Sequence, residues 1–293
     1  MQEGLEKFPG LFYLSDWGHV EILGPDSADF LNRMSTVNIK TVTPSKMAHG
    51  ALLTGRGHVL ALGFLQMRDA QAYEWILSPG QNQKAAEHLE KFHFQERLTV
   101  SDVSRSSGLF GIWNPAWNAR EPLGVFSFGG GTCWRDDSRT SLYWLNTPTK
   151  AVPSELKNFG PLEKSLWEYL RIEKAVPQVG VEISENEIIL ETNFDRSVAR
   201  NKGCYPGQEV VERIFTYGSV NKKLLPVEFE TSKVELPQPL SFQNTPAGSL
   251  VSAVSIPTSP EKSIGLAYIQ RNFWESQEFL TQSGVRVRLR QII

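Results

Sequence analysis

The chain reads as an α+β fold that closes with a small β-barrel, and three features of its patterning predict this. Two stretches, residues 81–94 and 161–174, repeat apolar side chains at helical spacing. Short strand-like runs surround them. Beyond about Leu225 the helical periods stop, and proline-rich turns separate period-two segments such as Leu250, Ser252, Val254, Ile256 and Val285, Val287, Leu289. The expected division is a mixed core over residues 1–222 and a barrel over 223–293.

In chain order, Val20 to Leu23 is a short strand that Pro25 helps to stop, and Asp26 stands where it can cap a helix carrying Phe30, Leu31 and Met34. Gly50 to Leu65 predicts a hairpin, because Thr54-Gly55-Arg56-Gly57 separates two apolar runs and glycine supplies the positive φ such a turn needs. Its second arm continues as Val59 to Phe64. Ala85, Leu89 and Phe92 place one apolar stripe on a helix, with strands at Tyr73 to Leu77 and Leu98 to Val103 on either side. The next helix puts Leu162, Leu166, Tyr169 and Leu170 on one face, carries Arg171 and Glu173 near its C-terminal end, and is stopped by Pro177. Gly129-Gly130-Gly131 reads as a loop between strands.

Composition removes several classes of function. Thirty Lys and Arg stand against 32 Asp and Glu, so nothing favours broad attachment to nucleic acid or to an anionic membrane. Arg286, Arg288 and Arg290 alternate with apolar residues and read as a solvated barrel face. The apolar runs are far shorter than the roughly 20 residues that span a bilayer. Met1 to Gly10 shows neither a secretory nor a transit pattern, and two cysteines, Cys133 and Cys204, cannot make a disulfide framework. A cytoplasmic location is expected. His88 and His93 do not share a helical face, and without a Cys-x-x-Cys or His-Glu-x-x-His pattern no metal site is expected. Neither a P-loop, a dinucleotide fingerprint nor a serine-hydrolase elbow occurs. His58 in the hairpin reads as a surface residue. Trp113, Trp117, Trp134 and Trp144 could stack on a flat ligand, but large aromatics more often build cores.

The most informative segment is Asn201-Lys202-Gly203-Cys204-Tyr205-Pro206-Gly207-Gln208-Glu209-Val210-Val211-Glu212-Arg213, with Gly218 downstream. Gly203 and Pro206-Gly207 predict a tight, irregular backbone around a single thiol. Gln208 to Arg213 could form the first turns of a helix whose N-terminus faces it. Such a terminus and the Lys202 ammonium would both favour thiolate, lowering the pKa from about 8.5. Taken alone, a cysteine such as Cys204 is more often a small buried hydrophobe in a loop; the glycine, lysine and carboxamide context reverses that preference here.

Lys-Gly-Cys-Tyr-Pro-Gly-Gln-Glu with Arg213 and Gly218 resembles the signature of the YgfZ family of folate-binding iron–sulfur proteins. Ile22-Leu23-Gly24-Pro25-Asp26, Phe30-Leu31-Asn32-Arg33 and Gly50 to Gly57 resemble its N-terminal blocks. Arg171-Ile172-Glu173 with Val176-Pro177 resembles its central helix, and Gly265-Leu266-Ala267-Tyr268-Ile269 its C-terminal strand. The resemblance implies the fold of the glycine-cleavage T-protein: two α+β lobes and a C-terminal barrel around a central hole that holds tetrahydrofolate or a derivative. It implies an accessory role in iron–sulfur cluster assembly or repair, with assembly factors or client enzymes as partners. Cys204 and Lys202 are then the candidate functional pair, and Glu173, Arg171, Arg213, Gln208, Glu209, Tyr205, Gly203 and Gly207 the candidate folate-binding residues.

Among these, Glu173 matches a carboxylate that hydrogen-bonds the pterin in T-protein relatives, as suits an aminopyrimidinone edge with adjacent N–H groups. Its plain alternative is a solvated helix glutamate. Arg213 could pair with the glutamate tail of folate, with Glu209, or only within a surface ion pair. The alternative function, transfer of an aminomethyl or methyl unit to folate, is disfavoured. T-protein relatives carry an acting aspartate in this hairpin, where the matching run here, Gly57-His58-Val59-Leu60-Ala61-Leu62, places Ala61 and Leu62. A classical enzyme is therefore not expected. An intramolecular disulfide would require Cys133 to approach Cys204.

Overall fold

A computed structural model describes residues 9–114, 117, 123–135, 142–231 and 234–291. Most of the Met1 to Gly10 stretch, read above for targeting signals, lies outside the described residues. The described residues fall into two compact units, one within Met1–Gly55, Leu60–Leu162 and Ser197–Gly207, the other within Arg56–Val59, Glu163–Arg196 and Gln208–Ile293.

The first unit holds two sheets. Strands β1 (Gly10–Tyr13), β2 (Gly18–Leu23), β3 (Ala48–Leu53), β4 (Val59–Asp69), β5 (Ala72–Leu77), β6 (Thr99–Asp102), β7 (Gly108–Trp113), β8 (Phe126–Phe128), β9 (Gly131–Trp134), β10 (Leu142–Thr147) and β11 (Gly160–Pro161) order as β3-β4-β5-β2-β6 and as β11-β1-β7-β10-β9-β8. Helices α1 (Ser27–Met34) and α2 (Asn82–Lys91) pack their apolar stripes, Phe30, Leu31, Met34 and Ala85, Leu89, into one core with Val20, Ile22, Leu65 and Trp75. Each buried Val, Leu, Ile, Met or Phe among them contributes about 1.5–3 kcal/mol by leaving water. Gly63 on β4 is required by close approach, since a Cβ there would come 1.9 Å from the Ile76 carbonyl oxygen of β5. The hairpin forms where the sequence places it. Gly57 at its turn has φ +78°, the left-handed region that glycine reaches without penalty. Gly129 and Gly130 likewise turn β8 into β9 with positive φ.

Two local expectations need adjustment. Asp26 occupies the N-cap position of α1 but makes no side-chain cap; its carboxylate instead accepts from the backbone N–H and guanidinium of Arg97. An arginine offers that carboxylate both hydrogen bonds and charge, which a cap does not. The second strong helix, α3 (Lys164–Glu173), begins three residues later than its apolar stripe suggests. Gly160 and Pro161 pair instead with Gly10 and Leu11 as an edge strand, the sheet position proline tolerates.

The second unit contains α3, α4 (Gln208–Tyr217) and a closed six-stranded barrel of β12 (Lys222–Phe229), β13 (Gln238–Phe242), β14 (Thr245–Ile256), β15 (Ser259–Gln270), β16 (Glu278–Thr281) and β17 (Arg286–Leu289). Inward residues Val227, Leu240, Leu250, Ala267, Phe279 and Val287 fill it. Period-two patterning is what closure demands, because interior and exterior positions alternate along every strand. On the outside, Arg286 and Arg288 are exposed beside Glu278, as a solvated face requires. Arg290 departs from them and meets Glu173 on α3.

Candidate functional site

In the first unit, the cysteine motif is fastened to α1 and β3 at several points. Thr36 Oγ1 donates to the Ser197 carbonyl at 2.6 Å, and the Ala199 N–H donates to the Thr36 carbonyl. The Ser197 hydroxyl and His49 Nδ1 share a 2.6 Å hydrogen bond, and Asn38 Nδ2 donates to the Asn201 carbonyl. These contacts join residues some 150 positions apart and hold the segment on its scaffold.

Lys202 makes the densest of these attachments. Its Nζ donates to the carbonyls of Asn32 at 2.6 Å, Ser35 at 2.5 Å and Val37 at 2.6 Å. These carbonyls lie in the last turn of α1 and just beyond it. There a helix runs out of internal donors and presents the negative end of its dipole. The Leu31 carbonyl, by contrast, is already served by the Ser35 N–H and hydroxyl. The Tyr205 ring lies 5.1 Å from the ammonium, and burial lowers the Lys202 pKa to about 8. All three ammonium donors are thus committed to carbonyl oxygens. The ammonium therefore anchors the loop to the end of α1 and the turn after it. The spacing of Lys202 and Cys204 fits both an anchoring and a polarising role; the anchoring shows only in the carbonyls of Asn32, Ser35 and Val37, 165–170 residues earlier.

Cys204 is an exposed free thiol, whereas Cys133 on β9 is fully buried among Leu11, Phe110, Ile112, Tyr143 and Leu145. A cysteine inside a close-packed core cannot serve as a resolving thiol without opening that core. A Cβ at Gly203 would meet only Asn32 Nδ2, at 3.8 Å, while Gly207 has φ +81° and lets the backbone turn from the motif into α4. Tyr205 is buried, which places the thiol between an anchored lysine and a packed ring.

In the second unit, Arg171 and Glu173 sit at the C-terminal end of α3 with distinct environments. Arg171 is 7% exposed and bonds Glu168 Oε2 through Nε and Nη2, and both Glu182 oxygens and the Val176 carbonyl through Nη1. Burial opposes its charge, but Glu182 and Glu168 outweigh this and raise its pKa. Its guanidinium is occupied by protein carboxylates. Glu173 Oε1 accepts from the Tyr169 hydroxyl at 3.2 Å and lies 3.5 Å from Arg290 Nη2. Its Oε2 accepts no hydrogen bond among the described residues. The Tyr169 hydroxyl is pushed up to about 12 by burial and by the Glu173 charge, so it stays a donor across the physiological range. Tyr169 and Glu173 are an i, i+4 pair, a spacing that could have flagged this partner in the sequence.

On α4, Gln208 opens the helix, and Glu209 and Arg213 are exposed. Arg213 has no ion-pair partner among the described residues, so the suggested pairing with Glu209 does not form. Ala61 and Leu62 on β4 are buried and apolar. Of the tryptophans, Trp134 and Trp144 are buried and stacked at 6.1 Å, and Trp117 packs edge-on against Tyr143, so these three build core.

Residues 5–124 match the GCVT N-terminal domain family. The chain is similar to the mitochondrial iron-sulfur cluster assembly factor IBA57 homolog of Dictyostelium discoideum, 20% identical over 282 residues, covering 83% of this chain and 66% of that protein. It is also similar to the tRNA-modifying protein YgfZ of Vibrio atlanticus, 26% identical over 255 residues, covering 82% and 75%. Among solved structures, the glycine cleavage system aminomethyltransferase T from Bartonella henselae superposes with a TM-score of 0.84 at 15% sequence identity, over 98% of this chain and 86% of that one. At that identity the likeness establishes the fold: mixed α/β with a closed C-terminal barrel. The chain spans between about half and two thirds of the length of several curated relatives. Among the described residues, no helix is long and apolar enough to cross a membrane.

Proposed function

We infer from the chain's place as a YgfZ/IBA57-type member of the T-protein-like superfamily that it is a tetrahydrofolate-binding accessory protein acting in iron–sulfur cluster assembly or repair. The observation that carries this reading is the exposed thiol of Cys204, in a motif segment hydrogen-bonded to its scaffold just before the thiol and followed by the buried Tyr205. A thiol kept at the surface by a built scaffold is suited to meeting iron, a sulfur species or a partner's thiol, and a buried structural cysteine is not. The cluster is cargo here, and assembly factors or client enzymes are the partners.

Glu173 supports the folate part. One of its oxygens is held by Tyr169, and the other accepts no hydrogen bond among the described residues, so a pterin's adjacent N–H groups would suit this carboxylate. Arg171 contributes by holding the end of α3 through Glu168 and Glu182. Arg213, exposed and without an ion-pair partner among the described residues, is suited to a carboxylate such as the glutamate tail. Transfer of a one-carbon unit is the weaker reading, because Ala61 and Leu62 offer no group that could move a proton.

Calorimetry with tetrahydrofolate tests the reading. The wild type is expected to give saturable heat and thermal stabilisation, and Glu173→Gln to weaken binding by about tenfold or more, since each lost charge-assisted bond is worth about 1.5–3 kcal/mol. No heat and no stabilisation in the wild type would contradict the folate assignment.

A further inference from the structure

The three carbonyls of Asn32, Ser35 and Val37, with the face of Tyr205, make a cation cage. We propose that Lys202 is a positioning residue, whose ammonium fills this cage and thereby presents Cys204 to solvent without itself activating the thiol. This rests on Cys204 being the functional thiol, and deepens that reading by assigning its neighbour a mechanical role.

The geometry carries the proposal. An ammonium has three donors in a pyramidal array, and each of them meets one carbonyl at 2.5–2.6 Å. No donor is left to hydrogen-bond a thiolate two residues away. The acceptors are backbone groups of the end of α1 and the turn after it, so the cage is set by the fold and is present whatever side chain stands at 202. The ties of Thr36 to Ser197 and Ala199, of His49 to Ser197 and of Asn38 to Asn201 lie before Lys202. Lys202 is therefore the last polar anchor before the cysteine, and Tyr205, packed against the ammonium, is the first apolar one after it. Gly203 and Cys204 bridge these two anchors.

Positioning and activation make opposite statements about arginine. A guanidinium preserves the charge but is planar, larger and forked, and cannot converge on three carbonyls around one point. If Lys202 acts through its charge, Lys202→Ala shifts the thiol's titration and Lys202→Arg restores it; if it acts by filling the cage, Lys202→Arg releases the segment much as Lys202→Ala does.

The test measures alkylation of Cys204 by iodoacetamide against pH in the full chain, for wild type, Lys202→Arg and Lys202→Ala, with amide exchange of residues 197–207 followed alongside. The proposal expects an unchanged pH midpoint in all three proteins. Amide exchange in the segment should rise at least tenfold in both variants, and the alkylation rate at fixed pH should depart from wild type. Propylammonium added to Lys202→Ala should move that rate back toward wild type. A merely structural lysine would alter melting without altering the rate on the native thiol. Should a variant fail to fold, the wild-type protein still decides: its Lys202 ammonium protons should exchange slowly and give a resolved nitrogen-correlated signal. A midpoint that rises by a unit in Lys202→Ala and is restored in Lys202→Arg overturns the proposal, as does a rapidly exchanging wild-type ammonium. None of these readouts depends on cluster assembly or folate, so failure here is distinguishable from failure of the functional reading.

Discussion

Replacing Arg171 with methionine removes one half of a buried ion network whose other half stays behind. Glu182 has a side chain that is fully buried, and among the described residues it keeps only the Gln178 N–H as donor once the guanidinium is gone. Glu168 and the Val176 carbonyl lose their partners as well. Stranding a buried carboxylate in this way costs about 3–5 kcal/mol. At about 2–4 °C per kcal/mol for a large domain, that corresponds to a fall in Tm of about 6–20 °C. Urea unfolding followed by tryptophan fluorescence measures it, Trp167 on the same helix being a local reporter. The double variant Arg171→Met, Glu182→Leu should recover much of the loss, because the uncompensated charge is removed with its partner. A loss below about 1 kcal/mol in the single variant would refute the view that this network secures the end of α3 that carries Glu173.

Three further outcomes follow from particular contacts. Glu96 has its pKa lowered to about 2 by the Arg33 guanidinium and by neighbouring backbone N–H groups. The folded value lies below the ordinary one, so its stabilisation is present above about pH 4.5 and is lost as pH falls toward 2; a carboxyl titration by NMR should show this midpoint, moving back up in Arg33→Ala. In the native protein iodoacetamide should label Cys204 and leave Cys133 unmodified until denaturant is added, as mass spectrometry of the peptides would show. Gly63→Ala forces a Cβ onto the Ile76 carbonyl, and should destabilise by at least about 1–3 kcal/mol in the same urea assay.

Much of this architecture was legible in the sequence because amphipathic period is a local property. Ala85 and Leu89 announce α2, and alternation after Leu225 announces the barrel, since each pattern records which side of its own element meets the core. What escaped was set by distant partners. Asp26 looks like a cap until Arg97, seventy-one residues on, takes its carboxylate. Gly160 and Pro161 look like the approach to a helix until β1 recruits them as an edge. Arg290 belongs to the alternating arginines by spacing, yet it meets Glu173 across the unit. The site shows the same division. The motif singled out Cys204 and its glycines, but the anchoring of Lys202 comes from carbonyls at the end of α1 and in the turn after it, and a main-chain acceptor leaves no trace in the choice of side chain.

Complementation with Cys204→Ala puts the central claim to its most direct test. In a strain dependent on this protein, iron–sulfur enzyme activities should fall to the level of the deletion, while the purified variant binds tetrahydrofolate as tightly as wild type. Full enzyme activities from cells carrying Cys204→Ala would contradict the account, because no other exposed thiol exists in the chain to take that place.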